Sequence, residues 1–516
     1  MEDISQRMRR IVSVSHPFEY IYKEQRNRYH PTGNPRGIIT LTSAQNRLCG
    51  DLMLEQVKSL DLSDYDGATL LLYQDCRGMP AFRKATADFF KEYTNSPQDI
   101  DPDKLRICNG LTALLDVIAY TLCDEGDTIL SPSPMYGGIM RDTALRPNVN
   151  VHPVHLSSKP KSEGEKPYKL TVHHLERSYA EAIKQGKRVK ALFLVNPTNP
   201  LGTVYSKAEL IDYLQFCKRH NLHIVIDEIY LCSVYDDTKP FCSILSLKES
   251  EIPDINKTHF LYSFGKDFSF NGSHCGVLYS WNKTILDAVE TITQYQRVST
   301  LTQIAITQIL QKKEWLHNVY FKTIHERLRE ARDITMATLD EMDVAYVQPT
   351  AGFYLWADFN KFLSASNYAE EKSICCHLLS CGVSILPSSG FYGNEPGWFR
   401  VLFCIPLPEL IEGLKRLKEG CLSYVPGTGS AMADDLGHDL ANDLASGLDF
   451  DLADVEVVGI QSASGSDESL ESLMRSFQVS VKNSDWLKEN TADKWKRENP
   501  ELAEAWMKEI NKSPSE

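Results

Sequence analysis

Apolar and polar positions change rhythm along this chain in a regular way. Short runs rich in β-branched and aromatic residues, each bounded by turn residues, alternate with longer stretches in which apolar residues recur every three or four positions. The first pattern predicts buried strands and the second amphipathic helices. Their alternation is that of an α/β protein with a mainly parallel sheet. A helix is predicted near Pro80–Tyr93, followed by strand Leu105–Cys108, helix Leu111–Leu122 and strand Thr128–Leu130. Next come helix Val172–Lys184, strand Ala191–Val195, helix Ala208–His220, and strands His223–Ile226, His259–Ser263 and Val277–Tyr279. Ser206 followed by Glu209 reads as a capping box. Helical patterns run from Asp287 to about Met342, and a smaller α/β unit follows with strands near Phe353–Trp356, Val383–Leu386 and Phe399–Phe403.

The net charge of −14 changes this picture at one end only. Residues Cys421 to Glu516 hold nineteen acidic and eight basic residues, which leaves −3 for the first 420, and between Asp434 and Glu471 stand eleven acids with no Lys or Arg. Leu436, Leu440, Leu444 and Leu448 form a single i+4 stripe there. The expectation is an acidic, largely disordered extension with short transient helices; a docking helix for a protein partner is the alternative, and nucleic acid is excluded by like charge. Nowhere do eighteen apolar residues run together, and the start of the chain has no long apolar segment, so neither a membrane nor a secretory role is expected. Thirteen cysteines without CxxC or Cys/His ligand spacing read as reduced thiols with no metal, which fits a cytoplasmic protein, a nuclear presence being compatible too.

Candidate chemistry gathers at predicted strand ends, where open parallel sheets bind ligands. Lys266 ends the apolar run Thr258–Ser263 with its turn, where burial depresses an ammonium's pKa and makes it a usable amine nucleophile; a lysine merely leaving a strand is the alternative. Ser263 is placed to bond an anion beside that amine. Asp227 ends Ile224-Val-Ile, with Tyr230 three residues on. A buried carboxylate wants a cation, which a protonated pyridine nitrogen supplies; a helix cap is the other reading. Asn109-Gly110-Leu111-Thr112 opens a helix and offers free N–H groups to a phosphate, or is an ordinary N-cap. Asn196-Pro-Thr-Asn199-Pro-Leu-Gly202 is a rigid turn whose Asn196, at a buried strand exit, wants a defined partner.

Together with Glu395-Pro-Gly-Trp-Phe-Arg400, these motifs resemble the class I/II aminotransferases, fold type I pyridoxal-phosphate enzymes, over roughly residues 15–420. Asn34-Pro-Arg-Gly-Ile-Ile and Arg77-Gly-Met-Pro-Ala-Phe-Arg-Lys narrow the similarity to 1-aminocyclopropane-1-carboxylate synthase and its animal synthase-like relatives. The resemblance implies a large domain with a mainly parallel seven-stranded sheet at about 60–305, and a smaller α/β domain from about 15–59 plus 306–422. A tail at 1–14 and the extension at 423–516 flank this body. It implies pyridoxal 5′-phosphate as cofactor, an L-amino acid as substrate, and a homodimer with shared sites. Lys266 would form the internal aldimine and move the Cα proton, Asp227 pair with the pyridinium, and Asn196 and Tyr230 hold the phenolic oxygen. Ser263 and Gly110-Leu111-Thr112 would hold the phosphate, Tyr136 stack on the ring, and Arg400 take the α-carboxylate. Tyr73 matches the tyrosine that reaches a partner's phosphate; a core aromatic is the alternative.

The departures concern both cofactor and substrate. His274 stands where the family has a phosphate-gripping arginine, which implies looser cofactor binding. Gln45, in Ala44-Gln45-Asn46, replaces a substrate-side glutamate, and Cys76 replaces a tyrosine. Both losses remove groups suited to a sulfonium cation. The activity expected is therefore transamination, or elimination with deamination, of an L-amino acid. A true synthase acting on S-adenosylmethionine and an inactive descendant serving as an interaction protein are the alternatives.

Overall fold

The computed structural model describes residues 3–13, 27–159, 166–236, 238 and 240–426. The acidic run, its leucine stripe and almost all of the extension expected at 423–516 lie outside the described residues. Strand β1 (Ile39–Thr40) belongs to a small parallel ladder. The principal sheet comprises β2 (Leu105–Asn109), β3 (Thr128–Ser133), β4 (Asn150–His155), β5 (Val189–Val195), β6 (His223–Asp227), β7 (Thr258–Ser263) and β8 (Cys275–Ser280). A second sheet is formed by β9 (Ala345–Val347), β10 (Tyr354–Asp358), β12 (Leu386–Pro387) and β13 (Trp398–Leu402), while β11 (Val383–Ser384) pairs with β1.

The principal sheet runs in the order β2-β8-β7-β6-β5-β3-β4, with β8 antiparallel to both neighbours and every other pairing parallel. Its strands are continuous apolar runs because both faces are covered. Along β5 and β6, Ala191, Phe193 and Val225 pack on one side with Leu115 and Ile118 of the helix Leu111–Leu122. Leu192, Leu194, Ile224 and Ile226 face the opposite core, which continues into Tyr354, Trp356 and Phe399 of the second sheet. The predicted capping box is present: Ser206 Oγ accepts from Glu209 N at 3.3 Å, and Glu209 Oε2 accepts from Ser206 N at 2.8 Å.

Three features differ from expectation. Strand β4 and the helix Gly138–Ala144 were not predicted, because His152, Pro153 and His155 interrupt the apolar run. β4 is an edge strand, where a missing N–H is tolerated. Val383–Leu386, expected as one strand, is two short ones in different sheets. The stretch expected as a tail at 1–14 carries a helix, Gln6–Ser13, whose Arg10 donates to the Leu145 carbonyl at 3.2 Å.

The consequence for function is directional. The carboxyl ends of β2, β3, β5, β6 and β7 open on one edge, and β8, running the other way, brings its amino end to that same edge. No helix among the described residues is long and apolar enough to cross a membrane.

Candidate active site

A cavity of about 930 Å³ lies at that edge, lined by the strand ends, by the segment Thr42–Gln45 and by the loop that carries Phe391. Lys266 reaches it from a one-turn helix, Phe264–Asp267, directly after β7. Ser263 caps this turn, its Oγ accepting from Gly265 N at 3.4 Å. That leaves the hydroxyl hydrogen for an acceptor in the cavity. Lys266 Nζ donates to the Ala44 carbonyl at 2.5 Å, and the next carbonyl, of Gln45, accepts the Cys404 thiol at 3.3 Å. Burial, with a smaller opposing effect from Asp227 nearby, brings the Lys266 ammonium down to about 8.

Asp227 closes β6 and is buried. Its Oδ1 accepts from Ile229 N at 3.0 Å, and no cation of the described residues comes within ion-pair distance. Burial pushes its carboxyl up to about 7, with the Ile229 bond and Lys266 opposing. Tyr230 is buried against Phe353 and Tyr354, and desolvation raises its phenol. Arg400, on β13, is 6 % exposed, yet it meets no carboxylate among the described residues. Nη1 donates to Asn199 Oδ1 at 3.0 Å, Nη2 to the Thr42 carbonyl, and Nε has no partner. The guanidinium lies 4.8 Å from the Phe391 ring and 5.2 Å from that of Tyr354. Burial lowers its pKa, so this is a desolvated cation without a counter-charge of its own.

Gly110, Leu111 and Thr112 line the opposite part of the cavity, at the start of the helix Leu111–Leu122. Gly110 has φ +86°, and β8 approaches so closely that a Cβ on Gly276 would lie 2.8 Å from the Gly110 carbonyl. His274, exposed and with φ +42°, stands beside Gly110 because β8 starts at this edge. Tyr136 lines the cavity and donates to Asp142 Oδ2 at 3.4 Å. Its ring folds over Gly138, where any Cβ would sit 2.3 Å from the phenol oxygen. Gln45 is exposed on the same cavity.

Two of the expected site residues do not line this cavity. Asn196 does not line the cavity: its Nδ2 donates one of its two hydrogens to the Cys242 carbonyl at 3.0 Å, and its Oδ1 accepts from Tyr205 N at 3.1 Å. Asn199, three residues later in the same Asn-Pro repeat, does line it. Tyr73 is 97 % exposed and stacked under Arg297 at 5.7 Å, which speaks against the alternative of a core aromatic. With Cys76 it faces a separate pocket of about 220 Å³, apart from the Lys266 cavity. Arg141 and Phe391 also line the cavity, and neither sits in a motif that the sequence marks. Among the described residues no cluster of His, Cys, Asp and Glu forms a metal site.

Residues 36–417 match the family model "Aminotransferase class I and II". A human protein named "Probable inactive 1-aminocyclopropane-1-carboxylate synthase-like protein 2" is 38 % identical over 76 % of this chain and 68 % of its own length. A "1-aminocyclopropane-1-carboxylate synthase-like protein 1" of Takifugu rubripes is 31 % identical over 93 % of this chain and 82 % of its own. In fold, the aspartate aminotransferase of Thermotoga maritima superposes with a TM-score of 0.64 at 24 % identity, covering 81 % of this chain and all of that one. The chain therefore belongs to the class I and II aminotransferase family, pyridoxal-phosphate-dependent proteins of fold type I, and within it to the 1-aminocyclopropane-1-carboxylate synthase-like proteins.

Proposed function

We propose that this protein is a pyridoxal-phosphate-dependent enzyme that transaminates or deaminates an L-amino acid, with Lys266 as its catalytic amine. One observation carries the reading: Lys266, Asp227 and Arg400 are desolvated charges on one cavity, and none has an ion-pair partner among the described residues. Such an arrangement is costly unless a ligand supplies the missing partners. The residues fit the cofactor group by group. Lys266 would hold its aldehyde carbon, Asp227 its pyridine nitrogen, and Tyr230 with an amide of the Asn196–Asn199 turn its phenolic oxygen. Ser263, His274 and the helix start at Gly110-Leu111-Thr112 would hold its phosphate, with Tyr136 against the ring face. When bound, the cofactor supplies an electron-withdrawing ring conjugated to the substrate's Cα.

The chain's own residues do the rest. Arg400 grips the α-carboxylate with its fork and fixes which Cα bond lies in line for cleavage. The Lys266 amine, brought down to about 8 by burial, takes the Cα proton and returns it. Asp227, ionised by a cationic partner, keeps the ring nitrogen protonated. Phe391 and Tyr354 shield Arg400 from water. Tyr73, exposed in the single chain, is the residue this reading assigns to the phosphate of a second copy's site, which makes the protein a homodimer. Thirteen free thiols support a cytoplasmic location.

A second reading, an inactive descendant, is favoured by His274, which lacks the bidentate fork of an arginine. A visible spectrum taken during titration with pyridoxal phosphate, then with L-amino acids, separates the two. The enzyme reading predicts a yellow band that shifts with at least one amino acid and is absent from Lys266→Ala. A band that never forms at saturating cofactor overturns it.

A further inference from the structure

We propose that Glu371, a buried carboxylate outside the cavity, is a positioning residue for Arg400: it fixes the loop between β12 and β13 so that the Phe391 ring stays on the guanidinium, and thereby sets the grip on the α-carboxylate. The inference rests on the role given to Arg400 above and starts from a carboxylate which that role leaves unused. Glu371 lies on the helix Tyr368–Ser380, fully buried, and does not line the cavity. Both of its oxygens serve the loop. Oε1 accepts from Ser389 N at 2.9 Å and from Ser389 Oγ at 2.6 Å, and Oε2 accepts from Gly397 N at 2.9 Å. Ser388 Oγ stands 3.0 Å from Oε2 and 2.9 Å from the Glu395 carbonyl, so its single hydrogen is shared between them. One carboxylate thus joins residues 388 and 389, where the chain leaves β12, to Gly397, where it enters β13.

Between those ends the loop carries the cover of Arg400. The Phe391 ring is 2 % exposed, lies 4.8 Å from the guanidinium and meets Trp356 edge-on at 5.3 Å. The Phe391 carbonyl accepts from Met135 N at 2.9 Å, which ties the loop's tip to the segment after β3. Arg400 itself projects from β13 opposite Leu386 of β12, so the base of the loop also fixes the strand pair that aims it. A glutamine cannot take the place of Glu371. Each oxygen faces a backbone N–H, and in either orientation an amide would set its own NH2 against Ser389 N or Gly397 N. A loop released in this way lets water reach the guanidinium, and a hydrated cation binds a carboxylate more weakly than a desolvated one.

The test uses the full chain. Cofactor-free wild type, Glu371→Gln, Phe391→Leu and the double variant are treated with phenylglyoxal, and the modification rate of Arg400 is read by peptide mass against that of Arg106 in the same sample. Glu371→Gln is expected to speed modification of Arg400 by about tenfold or more and to leave Arg106 unchanged. In the Phe391→Leu background it should add less than about twofold, because both changes remove one cover. Ser389→Ala, which deletes a single donor, should act in the same direction by a smaller factor and serves if Glu371→Gln does not fold. With pyridoxal phosphate added, Glu371→Gln keeps the visible band, while the concentration of L-alanine, L-leucine, L-glutamate or L-lysine that half-shifts it rises by about tenfold. An unchanged Arg400 rate, or Arg400 and Arg106 rising together, overturns the proposal, as does an effect of Glu371→Gln that persists in full without Phe391. Half-shift concentrations equal to those of wild type overturn it and leave the proposed function standing. A band that never forms, or that no amino acid shifts, overturns the proposed function and with it the grip on the α-carboxylate, whatever the phenylglyoxal rates.

Discussion

Buried charges at the two ends of the principal sheet are treated in opposite ways. Where β2 and β3 begin, Arg106 is only 4 % exposed and is fully engaged. It meets Glu290 at 2.9 Å and donates to the carbonyls of Asp103, Leu105 and Leu286. Arg83 meets Asp103 at 2.7 Å, and the fully buried Asp127 accepts from Arg188 Nε at 2.7 Å. At the carboxyl ends, Asp227 has one backbone donor, Lys266 one carbonyl, and Arg400 an amide and a carbonyl with Nε left over. Position along the sheet does not by itself strip a charge of partners. Asp267, next to Lys266, accepts from Cys232 N, Ser233 Oγ and the Tyr262 hydroxyl. The first set of charges is paired within the fold, and the unpaired three are the ones the proposed function assigns to ligands. Glu228 adds a cautionary neighbour: it too is buried with a carboxyl raised to about 8, yet it accepts from Ile244 N at 2.7 Å and does not line the cavity.

Among substitutions at these charges, the largest effect is expected from Lys266→Ala. It removes the cofactor band and all amino-acid-dependent spectral change, because no other lysine among the described residues lines the cavity. Next come the two arginines. Arg106→Met strands Glu290 and three carbonyls and should lower unfolding stability by about 3–5 kcal/mol. Arg400→Met removes a cation with no counter-charge, and the cofactor-free protein should change by less than about 1 kcal/mol, or gain. Urea unfolding of both variants reads the difference, and equal losses would place Arg400 with the structural charges.

A smaller effect is expected from Lys266→Met in cofactor-free protein, with a defined pH dependence. The folded lysine titrates near 8 and the unfolded one near its ordinary 10.5, so between these values the unfolded chain binds more protons and wild-type stability rises with pH. The variant should therefore be more stable below pH 8, by at most about 3 kcal/mol, with the gain fading from about pH 8 towards 10.5. Unfolding midpoints taken across that range check the sign. The smallest effect is that of His274→Arg, which restores a fork beside Gly110 and should tighten pyridoxal phosphate by about tenfold, less whatever strain the positive φ imposes. A variant that binds cofactor no tighter would show that His274 is not what limits affinity.

Much of the fold was legible because a strand covered on both faces reads as an unbroken apolar run, as Ile224-Val-Ile does, and because Pro80 and Ser206 mark helix starts. The edge strand β4 was not, since a strand with a single partner tolerates Pro153 and two histidines. At the site, Lys266, Asp227 and Arg400 stood out as charges inside apolar runs. Asn196 and Asn199, two Asn-Pro pairs three residues apart, offer the same chemistry, and only the path of the turn decides that Asn199 lines the cavity.

The most direct test of the claim that these charges await a ligand is thermal unfolding of wild type and Asp227→Asn at pH 8, each with and without pyridoxal phosphate. Asp227 is held at about 7 when folded, against 3.8 ordinarily, so at pH 8 its ionised form opposes folding of the cofactor-free chain, by up to about 4 kcal/mol. The sign follows from proton binding: the folded state holds more protons between these values, so stability falls as pH rises through them. The account predicts that Asp227→Asn melts higher than wild type without cofactor, and that pyridoxal phosphate stabilises wild type more than the variant. A variant that melts lower than wild type without cofactor, with the same cofactor-induced shift in both, would mean that Asp227 is an ordinary structural carboxylate and would contradict the account.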